Sequence, residues 1–214
     1  EFAPNICSCN RSLTDTPTSA DITIGNITVS ATDGLVLVTN QYQPNTALAG
    51  GVIQVGKIDT SRLAGKGGDV VIDSRNRIAL SDTLSTSSLR GNGGNITLLA
   101  ASDINPANIT SIGQLGGNIT LTSNGTISLD NHFILSGSIT SSTPTPGLKG
   151  GDINVNSRSL SLTNGSRIIT ATLGTATGGN LNVSASQSIA LSGTDDGLLS
   201  DARTIPQFDS FLAT

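Results

Sequence analysis

Short stretches of alternating apolar and polar residues recur along most of the chain, and each follows a pair of glycines. The five clear copies have the pattern Gly-Gly-Asp/Asn-apolar-x-apolar and begin at Gly67, Gly93, Gly116, Gly150 and Gly178. An earlier, degenerate copy begins at Gly50-Gly51. Alternation with a period of two sends successive side chains to opposite faces of a strand. The pattern therefore predicts a short β-strand with one dry and one wet face at each copy.

Two further strands are predicted after each copy. The second has the form Ile-x-Leu, as in Ile78-Ala79-Leu80 and Ile127-Ser128-Leu129. The third and weaker element occurs at 109–112, 134–136 and 168–170, with Leu198-Leu199-Ser200 as a further candidate. A single coil of three strands cannot bury its dry face, so coils must stack at roughly 4.8 Å, each strand bonded to the coils beside it. The sequence thus predicts an all-β fold, a three-sided parallel β-helix of about seven coils and roughly 35 Å in length.

The glycine pairs are predicted to mark corners of the coil. Glycine adopts positive φ at little cost and leaves room where backbones crowd. The Asp or Asn that follows can bond local amides and settle the turn. Asp69 is replaced by Asn95, Asn118 and Asn180 in the sister copies. This exchange indicates a structural use of the carboxylate.

The same strand pattern and composition continue through the repeats without a linker, which indicates one domain with two atypical ends. We assign residues 1–20 to a non-repeat N-terminal segment or cap, 21–202 to the β-helix repeats, and 203–214 to a C-terminal tail or cap. Charged residues make up 12% of the chain and aromatic residues 2%. That composition excludes a core of large mixed side chains and favours a thin, repeating core.

Charge and cysteine content exclude several functions. The net charge is −4 and the 11 Lys and Arg residues are scattered, so no basic stripe follows a nucleic-acid backbone. No apolar stretch approaches the roughly 20 residues of a transmembrane helix, and no signal peptide is recognisable at the N-terminus. We therefore expect any targeting signal to lie elsewhere in a longer gene product or to have been removed. Cys7, Cys9 and the single histidine, His132, are too few for a zinc site.

Catalysis is an alternative function, because polysaccharide lyases and hydrolases also use parallel β-helices. Asp69 and Asp73 are near enough in sequence to approach a common cation. A glycosidase needs two carboxyl groups at a defined separation in a cleft, and the only Glu is Glu1. His132 has no Ser or Cys in a recognisable nucleophile context. We therefore expect no catalytic, cofactor or metal site, and no enzymatic activity.

The longest insertion is the candidate binding loop. It contains Ser141, Thr143, Pro144, Thr145 and Pro146. Its prolines cannot join a hydrogen-bonded ladder, so the loop is predicted to project from the shaft. The alternative is a tolerated surface excursion without a binding role.

The Gly-Gly-Asp/Asn repeats followed by Ile-x-Leu resemble the shaft of filamentous-haemagglutinin-like exoproteins, particularly the large cyanobacterial forms. The resemblance covers roughly Asp21 to Ala202. It implies a right-handed parallel β-helix, two-partner secretion, and a secreted or outer-membrane-associated location. It also implies roles in adhesion, aggregation or surface contact, with cell-surface glycans or other cells as partners and an outer-membrane transporter during export.

The chain departs from this family in one respect. It lacks the Asn-Pro-x-Gly-Ile type motif of the family's N-terminal secretion module, so we expect interior shaft, with the transporter contacted by a module absent here. Three hypotheses stay open: a structural shaft, an adhesive surface, and a polysaccharide-binding or polysaccharide-degrading protein.

Overall fold

The computed structural model describes residues 20–40, 50–139, 149–173, 177–193 and 211–213. Within these ranges all of the regular secondary structure consists of β-strands. Three sequence features lie outside the described residues: the candidate binding loop (Ser141, Thr143, Pro144, Thr145 and Pro146), the two cysteines, and the third-strand candidate Leu198-Leu199-Ser200.

The strands in chain order are β1 (Ile22–Ile24), β2 (Ile27–Thr28), β3 (Leu35–Thr39), β4 (Ile53–Val55), β5 (Ile58–Asp59), β6 (Asp69–Ser74), β7 (Ile78–Leu80), β8 (Leu84–Ser85), β9 (Ile96–Ala100), β10 (Ile104–Asn105), β11 (Ile109–Gly113), β12 (Ile119–Ser123), β13 (Thr126–Asp130), β14 (Phe133–Ile139), β15 (Ile153–Thr163), β16 (Arg167–Leu173), β17 (Leu181–Ser192) and β18 (Phe211–Ala213).

Parallel pairing arranges these strands in three ladders. Ladder A contains β3, β6, β9, β12 and the N-terminal halves of β15 and β17. Ladder B contains β1, β4, β7, β10, β13 and the C-terminal halves of β15 and β17. Ladder C is a seven-stranded sheet of β2, β5, β8, β11, β14, β16 and β18. The chain visits B, C and A in turn, so the predicted parallel β-helix with three strands per coil is confirmed.

Apolar columns fill the interior. In ladder A, Val70, Ile96, Ile119 and Ile153 occupy equivalent positions in successive coils, and each is fully buried. Ladders B and C have the same arrangement. Each fully buried aliphatic side chain contributes about 1.5–3 kcal/mol relative to an exposed one. Repetition of small layers therefore replaces the mixed core that the composition excludes.

The prediction of a degenerate repeat at Gly50-Gly51 is wrong. The strand after these glycines, β4, pairs with β7 and belongs to ladder B. The ladder A partner of β6 is β3, whose Gly34 carbonyl accepts the Asp69 N–H at 2.8 Å. Asp33-Gly34 therefore occupies the place that a Gly-Gly pair occupies before the later strands of ladder A. Local pattern misled the assignment because Ile53-Gln54-Val55 alternates as a ladder A strand does.

The third strand of the last coil is β18. It lies in the C-terminal segment 203–214 and pairs in parallel with β16, Phe211 opposite Arg167. Ladder C therefore includes residues from beyond the predicted limit of the repeats.

The second glycine of each pair lies against the backbone of the preceding coil. A Cβ on Gly117 would lie 2.0 Å from the carbonyl oxygen of Gly94, and one on Gly151 would lie 2.0 Å from that of Gly117. The whole column consists of Gly34, Gly68, Gly94, Gly117, Gly151 and Gly179. Positive φ occurs at other glycines, namely Gly51, Gly65, Gly165 and Gly193. Crowding is thus confirmed as the reason for glycine at these corners, whereas positive φ is not the reason.

Replacing Gly117 by alanine should lower the free energy of unfolding by about 1–3 kcal/mol, because the Gly94 carbonyl must move to admit the methyl group. The matched control is Gly178→Ala, since a Cβ there would meet nothing within 4 Å. Urea denaturation followed by circular dichroism measures both. Equal stability of the two variants would contradict the crowding argument.

Candidate functional site

A column of Asp and Asn side chains follows the glycines along the outside of ladder A. We call Asp69, Asn95, Asn118, Asp152 and Asn180 the Asx column. The Oδ1 atom of each of the first four accepts the backbone N–H of the next member, at distances of 2.7, 2.9, 2.9 and 2.7 Å. The column therefore joins successive coils through side chains as well as through the ladders, and it accounts for the exchange of Asp with Asn between copies.

Other corners use the same type of bond. The Asn26 side chain accepts the Lys57 N–H at 3.0 Å, and the Asn40 side chain accepts the Arg75 N–H at 2.8 Å. Asp103 accepts the Thr126 N–H at 2.7 Å. In each case the acceptor belongs to the earlier coil and the donor to the coil that follows.

Two lysines add charge to the Asx column. Lys149 Nζ lies 2.7 Å from Asp152 Oδ1, and Lys66 Nζ lies 2.9 Å from Asp69 Oδ2. The Lys149 hydrogen bond, together with the Asn180 N–H, lowers the pKa of the Asp152 carboxyl below its usual value. The carboxylates at these corners are therefore occupied by structural partners.

A second polar column lies inside the helix and was missed at the sequence level. Its members lie within ladder C strands or directly after them; they are Thr60, Thr86, Ser111, Ser136 and Thr170, all buried. Their hydroxyls donate to glycine carbonyls of the glycine column: Thr86 to Gly94 at 2.7 Å, and Ser136 to Gly117 at 2.8 Å. The available signal was the pattern Ile/Leu-x-Ser/Thr in the third strand of five coils. This pattern alone does not indicate burial, because Ser and Thr are commonly exposed.

The structure does not bring Asp69 and Asp73 together. Both side chains point outward from β6, four residues apart, which places them roughly 13 Å apart along the strand. The Asp69 oxygens are bonded to Asn95 and Lys66. The suggestion that the two aspartates could approach one cation is therefore wrong. In the described ranges, no three His, Cys, Asp or Glu side chains cluster as a metal site would require.

His132 follows β13 at a corner. Its backbone N–H donates to Ser166 Oγ and its carbonyl accepts the Arg167 N–H, both at 3.1 Å. Its Nδ1 atom is buried and has no hydrogen-bond partner among the residues that the structure describes. The backbone contacts fix its place at the corner, and nothing in the described chain pairs the imidazole with an acid.

An open groove of about 430 Å³ lies on the outer surface near the N-terminal coils. Its walls include Thr23, Asn26, Gln54, Ala79, Ser81 and Asn105. The register places Thr23, Gln54, Ala79 and Asn105 side by side in four successive coils of ladder B. Ala79 has the smallest side chain of this row, a single methyl group, so the surface is lowest at this position. The amide side chains of Gln54 and Asn105 flank the gap, two coils and roughly 9.6 Å apart.

The groove is uncharged, and part of its hydrogen-bonding capacity is unused. Every lining side chain is neutral. The side chains of Gln54 and Asn105 are exposed and make no hydrogen bond to any residue in the described part of the chain. Nearby, Lys57 Nζ pairs with Asp59 Oδ2 at 3.0 Å, and this hydrogen bond raises the pKa of Lys57. The groove therefore presents the side-chain amides of Gln54 and Asn105 for binding, next to a lysine whose charge is already paired with Asp59.

The fold places the chain among parallel β-solenoid proteins. No protein-family model matches it, and no curated protein or solved structure matches it significantly. The parts of the chain that the structure describes contain no helix with the length and hydrophobicity of a membrane span. The proposed candidate loop lies outside the described residues, so its binding role stays a prediction.

Replacing Asn118 by alanine should loosen the Asx column locally, because the Asp152 N–H loses its acceptor. A net hydrogen bond contributes about 0.5–1.5 kcal/mol, so exchange of the Asp152 amide should quicken roughly tenfold. Asn118→Asp keeps an acceptor oxygen and is the control. Hydrogen exchange by NMR measures both, and an unchanged rate in Asn118→Ala would contradict the role of the column.

Acid should weaken the coils around Asp152. The folded state lowers the pKa of this carboxyl from its ordinary 3.8, so its charged form stabilises folding above 3.8. That stabilisation is lost as the pH falls through the folded pKa. Urea denaturation at neutral pH and below pH 3.8 should show a smaller loss in Asp152→Asn than in the parent chain. An identical loss in both would contradict this assignment.

Proposed function

We propose that this chain is a non-enzymatic segment of the shaft of a large secreted or surface-displayed protein of the filamentous-haemagglutinin-like type. In this role it holds other parts of the parent protein at a distance and takes part in adhesion, aggregation or surface contact. Export by two-partner secretion, through a module outside this segment, and an outer-membrane-associated location belong to the same proposal.

The observation that carries the proposal is the repetition of the same coil-to-coil bonds. The glycine column, the Asx column and the apolar columns extend through successive coils with little change. Each coil contacts only its neighbours, as in other solenoids. Such an arrangement resists bending and can be lengthened by adding coils, which suits a spacer.

The outer surface suits weak contacts made many times. Outward positions in ladder A at one register level are Val71, Thr97, Thr120, Asn154 and Asn182. Four of these five side chains are small and polar, and they offer hydrogen bonds without a deep pocket. Several such contacts on one shaft, or several shafts on one cell, would add through their shared geometry.

The polysaccharide-degrading alternative has less support. Asp69 is held by Asn95 and Lys66, and its separation from Asp73 does not form a pair of catalytic carboxyls. Polysaccharide binding without turnover is favoured by one observation, the neutral groove with free amides.

The test is to display the purified chain in many copies on beads and to measure capture of bacterial and host cells. We expect saturable capture by beads and none by the single-copy chain, because individual contacts are weak. A variant lacking residues 139–149 tests the candidate loop in the same assay.

Turnover is measured in parallel by release of reducing ends from a panel of polysaccharides. We expect none. Turnover that is abolished by Asp69→Asn or Asp73→Asn would overturn the non-enzymatic assignment, and absence of cell capture at high bead density would remove surface contact from the proposal.

A further inference from the structure

We infer that the groove between Thr23 and Asn105 is a binding site for a neutral saccharide chain. The inference deepens the proposed surface-contact role and rests on it, because it names the ligand class that one part of the shaft would contact. It is carried by the shape of the groove, the free amides on its walls and the absence of charge in its lining.

The shape matches a ring with hydroxyl groups around its edge. Ala79 and the glycines 25 and 56 form a low floor, while Gln54 and Asn105 stand on either side. A sugar ring over the Ala79 methyl would place its hydroxyls beside both amides. Each primary amide has a carbonyl acceptor and two N–H donors, so it can bond two neighbouring hydroxyl groups at once.

The charges around the groove favour neutral over acidic saccharides. Binding an acidic sugar needs a free cation in the lining, and the lining contains none, since the exposed Arg77 lies outside it. Lys57 is already bonded to Asp59 at 3.0 Å. Asp82 adds a negative field near Lys57. An anionic ligand entering from this side would meet carboxylates and an occupied ammonium group.

The surface beyond the groove allows a polymer to continue. The row of Thr23, Gln54, Ala79 and Asn105 is extended along ladder B by Ser128, Ser161 and Ala190. These are small and neutral, so no bulky or charged side chain blocks the row. A saccharide chain parallel to the helix axis would meet one coil every 4.8 Å or so. Longer saccharides should therefore bind better than short ones.

The experiment uses the whole chain labelled with ¹⁵N and titrated with neutral and uronic-acid oligosaccharides of increasing length. We expect neutral oligosaccharides to shift the side-chain amide signals of Gln54 and Asn105 and the backbone signal of Ala79. The double variant Gln54→Ala/Asn105→Ala should bind about tenfold more weakly, because each lost hydrogen bond weakens binding severalfold. Thr110→Ala, at an outward position of ladder C and outside the groove lining, is the control, and circular dichroism checks that all variants fold.

A second variant, Ala79→Leu, raises the floor of the groove without removing a hydrogen bond, and it should also weaken binding of neutral saccharides. Arg77→Gln removes an exposed cation outside the lining and should leave that binding unchanged. The inference is overturned if no neutral saccharide shifts these signals, if Ala79→Leu binds as well as the parent chain, or if only acidic saccharides bind and Arg77→Gln abolishes their binding. Absence of any saccharide-induced shift together with intact cell capture would overturn the groove assignment while leaving the shaft proposal intact.

Discussion

Close contact between the backbones of successive coils is the constraint on which the structure depends. The carbonyl of one column glycine lies where the side chain of the next would be, so this position admits no Cβ without displacement. With that contact fixed, the strands of ladder A are held in register from β3 to β17. The inner hydroxyl column then satisfies several of the glycine carbonyls, and the Asx column binds the amides that follow them.

Most of the fold was predictable because its physical requirements recur at each coil. Alternating residues such as Ile153, Asn154 and Val155 indicate the faces of a strand wherever they occur, and repetition indicates that the strands must stack. The assignment of Gly50-Gly51 failed for a related reason. A strand of alternating residues has the same local pattern in ladder A and ladder B, and only its pairing partner, β7, decides which ladder it joins.

The polar features were harder to predict than the apolar ones. Ser111 and Ser136 are fully buried, although serine is usually found at surfaces. Their burial is tolerated because a glycine carbonyl of the preceding coil accepts each hydroxyl, and that partner is evident only after the coils are stacked. The groove was also hidden in the sequence, since Gln54 and Asn105 lie two coils apart and become its opposite walls only through the ladder B register.

The direction of the hydrogen bonds in the Asx column makes the two ends of the stack of coils unlike. Each side-chain oxygen belongs to the earlier coil and each bound amide to the later one. A completed coil therefore offers ready acceptors to the segment that comes after it in the chain. The later coil in turn presents its backbone N–H groups to the coil before it. The two ends of a stack of coils therefore differ chemically: one end presents side-chain oxygens that can accept hydrogen bonds, and the other presents amide donors.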